Sequence, residues 1–248
     1  MPNALVTGAG QGIGRAIAHR LRSDGFSVIV SDLDGDAAKR VADDLGGSAI
    51  MCDVTDPDAV DAMAAGIDDL DVLVNNAGIY LFGPLLEVTA EAYRRVMDVN
   101  VLGTLLCLQK LTPALSTGNG GSVVNIASMA AALPVPGTGM YSPSKAAVRA
   151  LTEVAAVELA PLNIRVNAVG PGRISTEGTQ SRTGDPAREQ RTAALIPAGR
   201  PGAPDDIADV VSFFAGPDSR YTTGQTLYVD GGLMKATIPF FQAAQSGG

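Results

Sequence analysis

The sequence predicts an α/β fold, a doubly wound parallel sheet of about seven strands with helices on both faces. Three observations predict it. Short apolar runs alternate with helix-like runs along most of the chain. The apolar runs are continuous and rich in Val and Ile, which suits strands covered on both faces. The first of them ends in a glycine-rich turn that leads directly into a helix.

NALVTG is the first strand, and a helix follows from about Gly12 to Asp24. FSVIVSD is the second, with a helix near Asp36 to Leu45, and SAIMCDV the third, with a helix near Asp58 to Ile67. DVLVNNAG precedes helical stretches around Ala90 to Met97 and Leu102 to Leu115. GSVVNIAS leads to a helix that opens at Tyr141, and NIRVNAVGPG and QTLYVDGG complete the set. No repeat, linker or second domain interrupts the series, so residues 1–248 are read as one domain. Residues 175–204 depart from the pattern, being polar with several Gly and Pro. An insertion at the carboxyl end of a strand, where such sheets bind ligands, predicts a substrate lid.

Composition narrows the function. The chain has 248 residues, 46% hydrophobic and 18% charged, enough to bury a large core. A formal net charge of −8 argues against nucleic acid, whose binding needs clustered Lys and Arg. No run approaches the roughly 20 apolar residues that span a bilayer. The start, MPNALVTGAG, lacks a basic region followed by a long apolar one, so a cytoplasmic protein without membrane contact is expected. Cys52 and Cys107 read as buried free thiols rather than as a disulfide or metal pair. The single histidine, His19, has no ligand partners at suitable spacing, so no metal site is expected.

TGAGQGIG, residues 7–14, joins the first strand to the first helix with Gly8, Gly12 and Gly14 in a G-x3-G-x-G pattern. Glycines there allow a tight turn and a close backbone approach to a pyrophosphate resting on the helix N-terminus. Asp32 ends the second strand, 18 residues beyond Gly14. A carboxylate there can accept both ribose hydroxyls of an adenosine and repel a 2′-phosphate. Leu33 and Asp34 follow it, and Gln11 occupies a loop position where a base could have held a phosphate. The expected cofactor is therefore NAD rather than NADP. A turn or helix-capping role for Asp32 is the competing reading.

MYSPSKAAVRAL, residues 140–151, places Tyr141 four residues before Lys145, on one helix face. Pro143 is tolerated there because first-turn N–H groups have no helical partner. A bare Tyr-x3-Lys pair is weak, but Ser128 ends a strand thirteen residues earlier and Asn100 precedes another helix. Hydride exchange between a nicotinamide and a carbonyl carbon needs a proton on the oxygen. A phenol titrates near 10, and bringing it to about 7 takes roughly 4 kcal/mol. A neighbouring ammonium such as Lys145 favours the phenolate. A serine hydroxyl can hold the reacting oxygen, and an asparagine can hold a relay water.

Together these motifs resemble the short-chain dehydrogenase/reductase family, in its single-domain, Rossmann-type branch of about 250 residues, over nearly the whole chain. The resemblance implies that TGAGQGIG binds the dinucleotide, with Ile13 among its contacts. In CDV it assigns Asp53 and Val54 to the adenine, and in NNAG it sets Asn76, Ala77 and Gly78 beside the adenosine ribose. In VGPGRIST it assigns Pro171, Gly172, Ile174 and Thr176 to the nicotinamide. It implies a tetrad of Asn100 (relay water), Ser128 (substrate oxygen), Tyr141 (general acid or base) and Lys145 (pKa and ribose). Pro143 stands where the family more often has alanine.

The substrate is expected between Ser128 and the lid. Met129, Leu133, Pro134, Val135, Tyr80, Phe82 and Arg173 are the candidate wall, mostly apolar, which suits a hydrophobic or aromatic secondary alcohol or ketone. Arg173 either meets an anionic group or points into water. Ile238, Pro239, Phe240 and Phe241 in the C-terminal tail are expected to pack on a neighbouring subunit or cover a pocket. Relatives imply a homotetramer built on the helices near 102–115 and 142–160. Three alternatives stand beside this reading. They are an NADPH-dependent 3-oxoacyl-carrier-protein reductase, a non-catalytic dinucleotide-sensing protein, and an epimerase or dehydratase, for whose added substrate domain the chain has no room.

Overall fold

A computed structural model describes residues 1–118, 120–177 and 193–236. Seven parallel strands form one sheet in the order β3-β2-β1-β4-β5-β6-β7. They are β1 (Asn3–Thr7), β2 (Ser27–Asp32), β3 (Ser48–Met51), β4 (Val72–Asn75), β5 (Ser122–Ile126), β6 (Arg165–Pro171) and β7 (Thr226–Val229). Each falls inside the run expected for it. Every residue of β4 and β5 is buried, as continuous apolar strands between two helical layers require. The order reverses between β1 and β4, which opens a crevice at the carboxyl edge of the sheet.

The described helices are α1 (Gly12–Ser23), α2 (Gly35–Leu45), α3 (Pro57–Ala65), α4 (Ala90–Met97), α5 (Gly103–Leu115), α6 (Tyr141–Glu158) and α7 (Pro204–Ala215). Asp34 caps α2 by accepting the Asp36 and Ala37 N–H groups, and Asp56 caps α3 by accepting the Asp58 N–H. On one face of the sheet Ile17 and Leu21 of α1 pack with Ile207, Val211 and Phe214 of α7. On the other, Val60 and Met63 of α3 pack with Leu106, Leu111 and Leu115 of α5 and Ala155 and Ala156 of α6. Cys52 and Cys107 are free thiols in this second cluster, and burial pushes Cys107 up to about 12.

Two departures from the sequence reading concern helices. The stretches 90–97 and 102–115 were expected as separate helices, but a π-helical segment, Asp98–Leu102, runs directly between α4 and α5. Helix α7 was not foreseen. Its signals were present: Pro204 at the start, Asp206 bonding back to the Ala203 N–H, and Ile207, Val211 and Phe214 on one face. Of the 175–204 stretch, only the two ends are described. Gly202 and Ile174 pair there, with Ser175 N–H to Gly202 O at 2.8 Å. The central part of the expected lid and the apolar tail lie outside the described residues. Among the described residues no helix is long and apolar enough to cross a membrane, and no group of His, Cys, Asp and Glu could hold a metal ion.

Phe214 is 1% exposed and joins α7 to the sheet. Phe214→Ala should cost about 3–5 kcal/mol of stability. Denaturant unfolding should show this as a lowered midpoint with an unchanged slope.

Candidate active site

Because the strands are parallel, the turns after β1 to β6 all open on one edge. There they line a cleft of about 1430 Å³. Every residue expected to bind the cofactor lines it, as do Ser128, Tyr141 and Lys145. Asn100 lies behind the wall, 1% exposed.

At the glycine-rich end, Gly8 and Gly12 have φ of 61° and 57°, the left-handed region that glycine tolerates. A Cβ on Gly14 would stand 2.2 Å from the Gly8 carbonyl oxygen. The turn is drawn against the loop after β4: Asn76 Nδ2 donates to Thr7 O at 3.0 Å and to Gly8 O at 2.8 Å. Thr7 Oγ1 accepts the Asn76 and Ala77 N–H groups, both at 3.1 Å. Helix α1 starts beyond Gln11 with no side-chain cap and no acid in its first turn. Its leading N–H groups therefore face the cleft edge with an uncompensated positive dipole, which fits a bound pyrophosphate.

Asp32 makes turn contacts and also lines the cleft. Its Oδ2 accepts the Gly10 N–H at 2.8 Å and its Oδ1 accepts the Asp34 N–H at 3.0 Å, which is a turn role. It also lines the cleft, and each oxygen keeps a second lone pair for a ribose hydroxyl. Gly10 escaped the sequence reading. A Cβ there would stand 2.8 Å from Ala37 Cβ and 2.9 Å from Asp32 Oδ2, so glycine lets the turn and the acid meet. The second glycine of TGAG was the available signal. Among the cleft's arginines, Arg94 and Arg95 come from α4 and Arg173 from the end of β6, none from the turn after β2.

At the other end, α6 begins at Tyr141, and Pro143 sits exposed in its first turn as expected. Its rotation is fixed by a buried chain: Asn75 Nδ2 donates to Asn125 Oδ1 and Asn125 Nδ2 to Thr152 Oγ1, each at 2.9 Å. Thr152 is two helical turns beyond Lys145 and shares its face. Lys145 is 5% exposed and donates to Ile126 O at 2.7 Å. Burial pushes its ammonium down to about 8. Burial pushes the Tyr141 phenol up, and a hydrogen bond with the Ser128 hydroxyl partly offsets this. Among the protein's own side chains burial is the largest influence on this phenol, while the Lys145 ammonium donates to the Ile126 carbonyl.

Asn100 is held on both sides by protein. Its Nδ2 donates to Ile79 O and to Ser144 Oγ, both at 2.9 Å, and its Oδ1 accepts the Ile79 N–H at 2.8 Å. Both donors are occupied by protein, leaving one Oδ1 lone pair for a water. Tyr80 and Phe82 stack at 5.2 Å, and both meet the Tyr141 ring edge-on, at 6.3 and 5.9 Å. Met129, Val135 and Arg173 line the same end. Leu133 and Pro134 do not. Leu133 lies beyond the Met129–Ala131 turn and is 45% exposed, its N–H bonded back to Met129 O. Arg15 of α1 pairs with Glu177 at 2.9 Å, linking the glycine-turn helix to the start of the expected lid.

A family model described as enoyl-(acyl carrier protein) reductase matches residues 8–234. An uncharacterized oxidoreductase of Methylorubrum extorquens is 44% identical, with 93% of this chain and 96% of that one covered. L-2,3-butanediol dehydrogenase of Corynebacterium glutamicum is 40% identical, covering 93% and 98%. A 3-oxoacyl-[acyl-carrier-protein] reductase of Staphylococcus aureus is 39% identical, covering 93% and 97%. A solved short-chain type dehydrogenase/reductase from Mycobacterium ulcerans superposes with a TM-score of 0.90 at 32% identity, covering 94% and 90%.

The buried Lys145 predicts a pH dependence of stability. Its pKa falls on folding from 10.5 to about 8, so between those values the unfolded chain binds more protons. This group's contribution should therefore rise by about 3 kcal/mol as pH climbs through that window. Lys145→Met should raise the melting temperature at pH 7, and the difference from the parent should shrink by pH 10. Melting curves across that range check it.

Proposed function

The chain belongs to the short-chain dehydrogenase/reductase family, and from that premise we propose an NAD-dependent dehydrogenase acting on a hydrophobic or aromatic secondary alcohol or the matching ketone. One observation carries the reading. A phenol and a serine hydroxyl stand together at one end of a cleft whose other end holds a glycine turn and a fixed carboxylate.

Nicotinamide dinucleotide supplies or accepts the hydride when bound. The chain's residues do the rest. The N-terminus of α1 holds the pyrophosphate, and Asp32 accepts the adenosine ribose hydroxyls. Its negative charge would oppose a 2′-phosphate, which favours NAD. Ser128 holds the substrate oxygen beside Tyr141 Oη. Tyr141 gives its proton to that oxygen in ketone reduction and takes one from it in alcohol oxidation. A phenol kept protonated by burial suits the acid role directly. Positive charge brought near it, from Lys145 and from an oxidised nicotinamide, favours the phenolate that oxidation needs. Tyr80, Phe82, Met129 and Val135 form an apolar wall for the rest of the substrate.

The rival 3-oxoacyl-carrier-protein reductase keeps the same catalytic set, and a relative of that description is present. Asp32 and the lack of a basic residue in the turn after β2 weigh against its NADPH. A sensing protein would not need Tyr141, Ser128 and Lys145 brought together at one cleft end.

The test is reduced-cofactor absorbance with NAD and NADP across secondary alcohols of aromatic, amino, cyclic, steroid, polyol and hydroxyacyl types. Turnover of apolar alcohols with NAD is expected. Turnover confined to NADP and hydroxyacyl thioesters would replace this reading with its rival. Tyr141→Phe should lower kcat about 10³-fold or more, while fluorescence titration shows NADH binding nearly unchanged. A variant that kept half its activity would remove Tyr141 from the mechanism.

A further inference from the structure

We infer that Ser144 is a positioning residue for Tyr141, holding the backbone of the catalytic tyrosine in register with the substrate wall. This rests on the reading of Tyr141 as the proton donor and acceptor.

Ser144 is fully buried. Its hydroxyl donates to the Tyr141 carbonyl at 2.7 Å and accepts from Asn100 Nδ2 at 2.9 Å. A helical serine bonding back to a carbonyl one turn earlier is common and usually without consequence. The second bond changes its meaning, because it comes from another element, the π segment between α4 and α5. Asn100 in turn clamps both the N–H and the carbonyl of Ile79. The next residue is Tyr80, whose ring, with that of Phe82, abuts the edge of Tyr141. The path therefore closes on itself. It runs from the Tyr141 carbonyl through Ser144, Asn100 and Ile79 to the aromatic wall, and back to the Tyr141 ring.

Tyr141 needs such a stitch. It is the first residue of α6, and Met140 before it offers no side-chain cap. Its N–H bonds to Thr138 O at 3.0 Å, in the loop that lines the substrate end. Helix ends fray. Ser144 ties this end to a buried amide on a different helix. Ser144 does not line the cleft, so its effect passes through Tyr141 and, by way of Asn100, Tyr80.

The experiment is steady-state turnover of the best alcohol from the panel by Ser144→Ala, Asn100→Ala and the double variant. Ser144→Ala should lower kcat about tenfold while leaving the KM for NAD and the NADH affinity unchanged. The double variant should be no slower than the slower single variant, because both cut one chain. A Ser144→Ala kcat within about twofold of the parent, multiplicative losses in the double variant, or a loss appearing in the KM for NAD would overturn the inference. Should Ser144→Ala fail to fold, Ser144→Cys, similar in size but a much weaker donor, is read by the same criteria. Failure of the underlying reading looks different: Tyr141→Phe would then stay active whatever Ser144 does.

Discussion

One ammonium group, buried with no carboxylate beside it among the described residues, sets the terms for the rest of the site. Charges are rarely buried unpaired, because the loss of hydration is costly. Lys145 is held there by the Ile126 carbonyl, whose direction is set by the ladder between β5 and β6. Gly78 leaves the room: a Cβ there would stand 3.3 Å from Nζ. The Asn75–Asn125–Thr152 chain stops α6 from rotating the group away. Sheet register, loop composition and helix orientation thus serve one destabilising placement.

Much of this was legible in the sequence, for physical reasons. Continuous Val- and Ile-rich runs specify a sheet whose centre is covered on both sides, although the edge strands β3 and β7 stay exposed or half-buried, and a parallel sheet gathers its turns on one edge. Residues at strand ends, such as Asp32 and Ser128, could therefore be placed in one cleft from the alternation alone. The helical period did the same for Tyr141 and Lys145. Asp32 shows the limit of that reading, since a turn role and ribose binding were offered as alternatives and the turn bonds leave the side chain on the cleft wall.

What stayed hidden depends on side-chain direction and on contacts far apart in sequence. Nothing local reveals that both donors of Asn100 are occupied, because its partners Ile79 and Ser144 are 21 and 44 residues away. Leu133 is apolar and close in sequence to Met129, yet the short 3-10 turn carries it past the cleft rim. The π segment has no compositional mark. It inserts one extra residue per turn, which joins α4 to α5 and brings Asn100 inward. Electrostatics were hardest to foresee: the sequence shows the cation near the phenol but not how deeply the phenol is buried, and burial raises it.

The two cysteines carry a consequence of another kind. Cys52 lies in the turn after β3, at the floor of the cleft, and Cys107 in the middle of α5, and both belong to one packed cluster. Burial raises both thiols, so at neutral pH neither offers a thiolate to an electrophile. Cys52 is approached from the cleft, but alkylation of Cys107 must wait until the layer of α3, α5 and α6 parts from the sheet. The protein therefore contains its own chemical clock for breathing on that face, and anything that clasps the cleft edge should slow it.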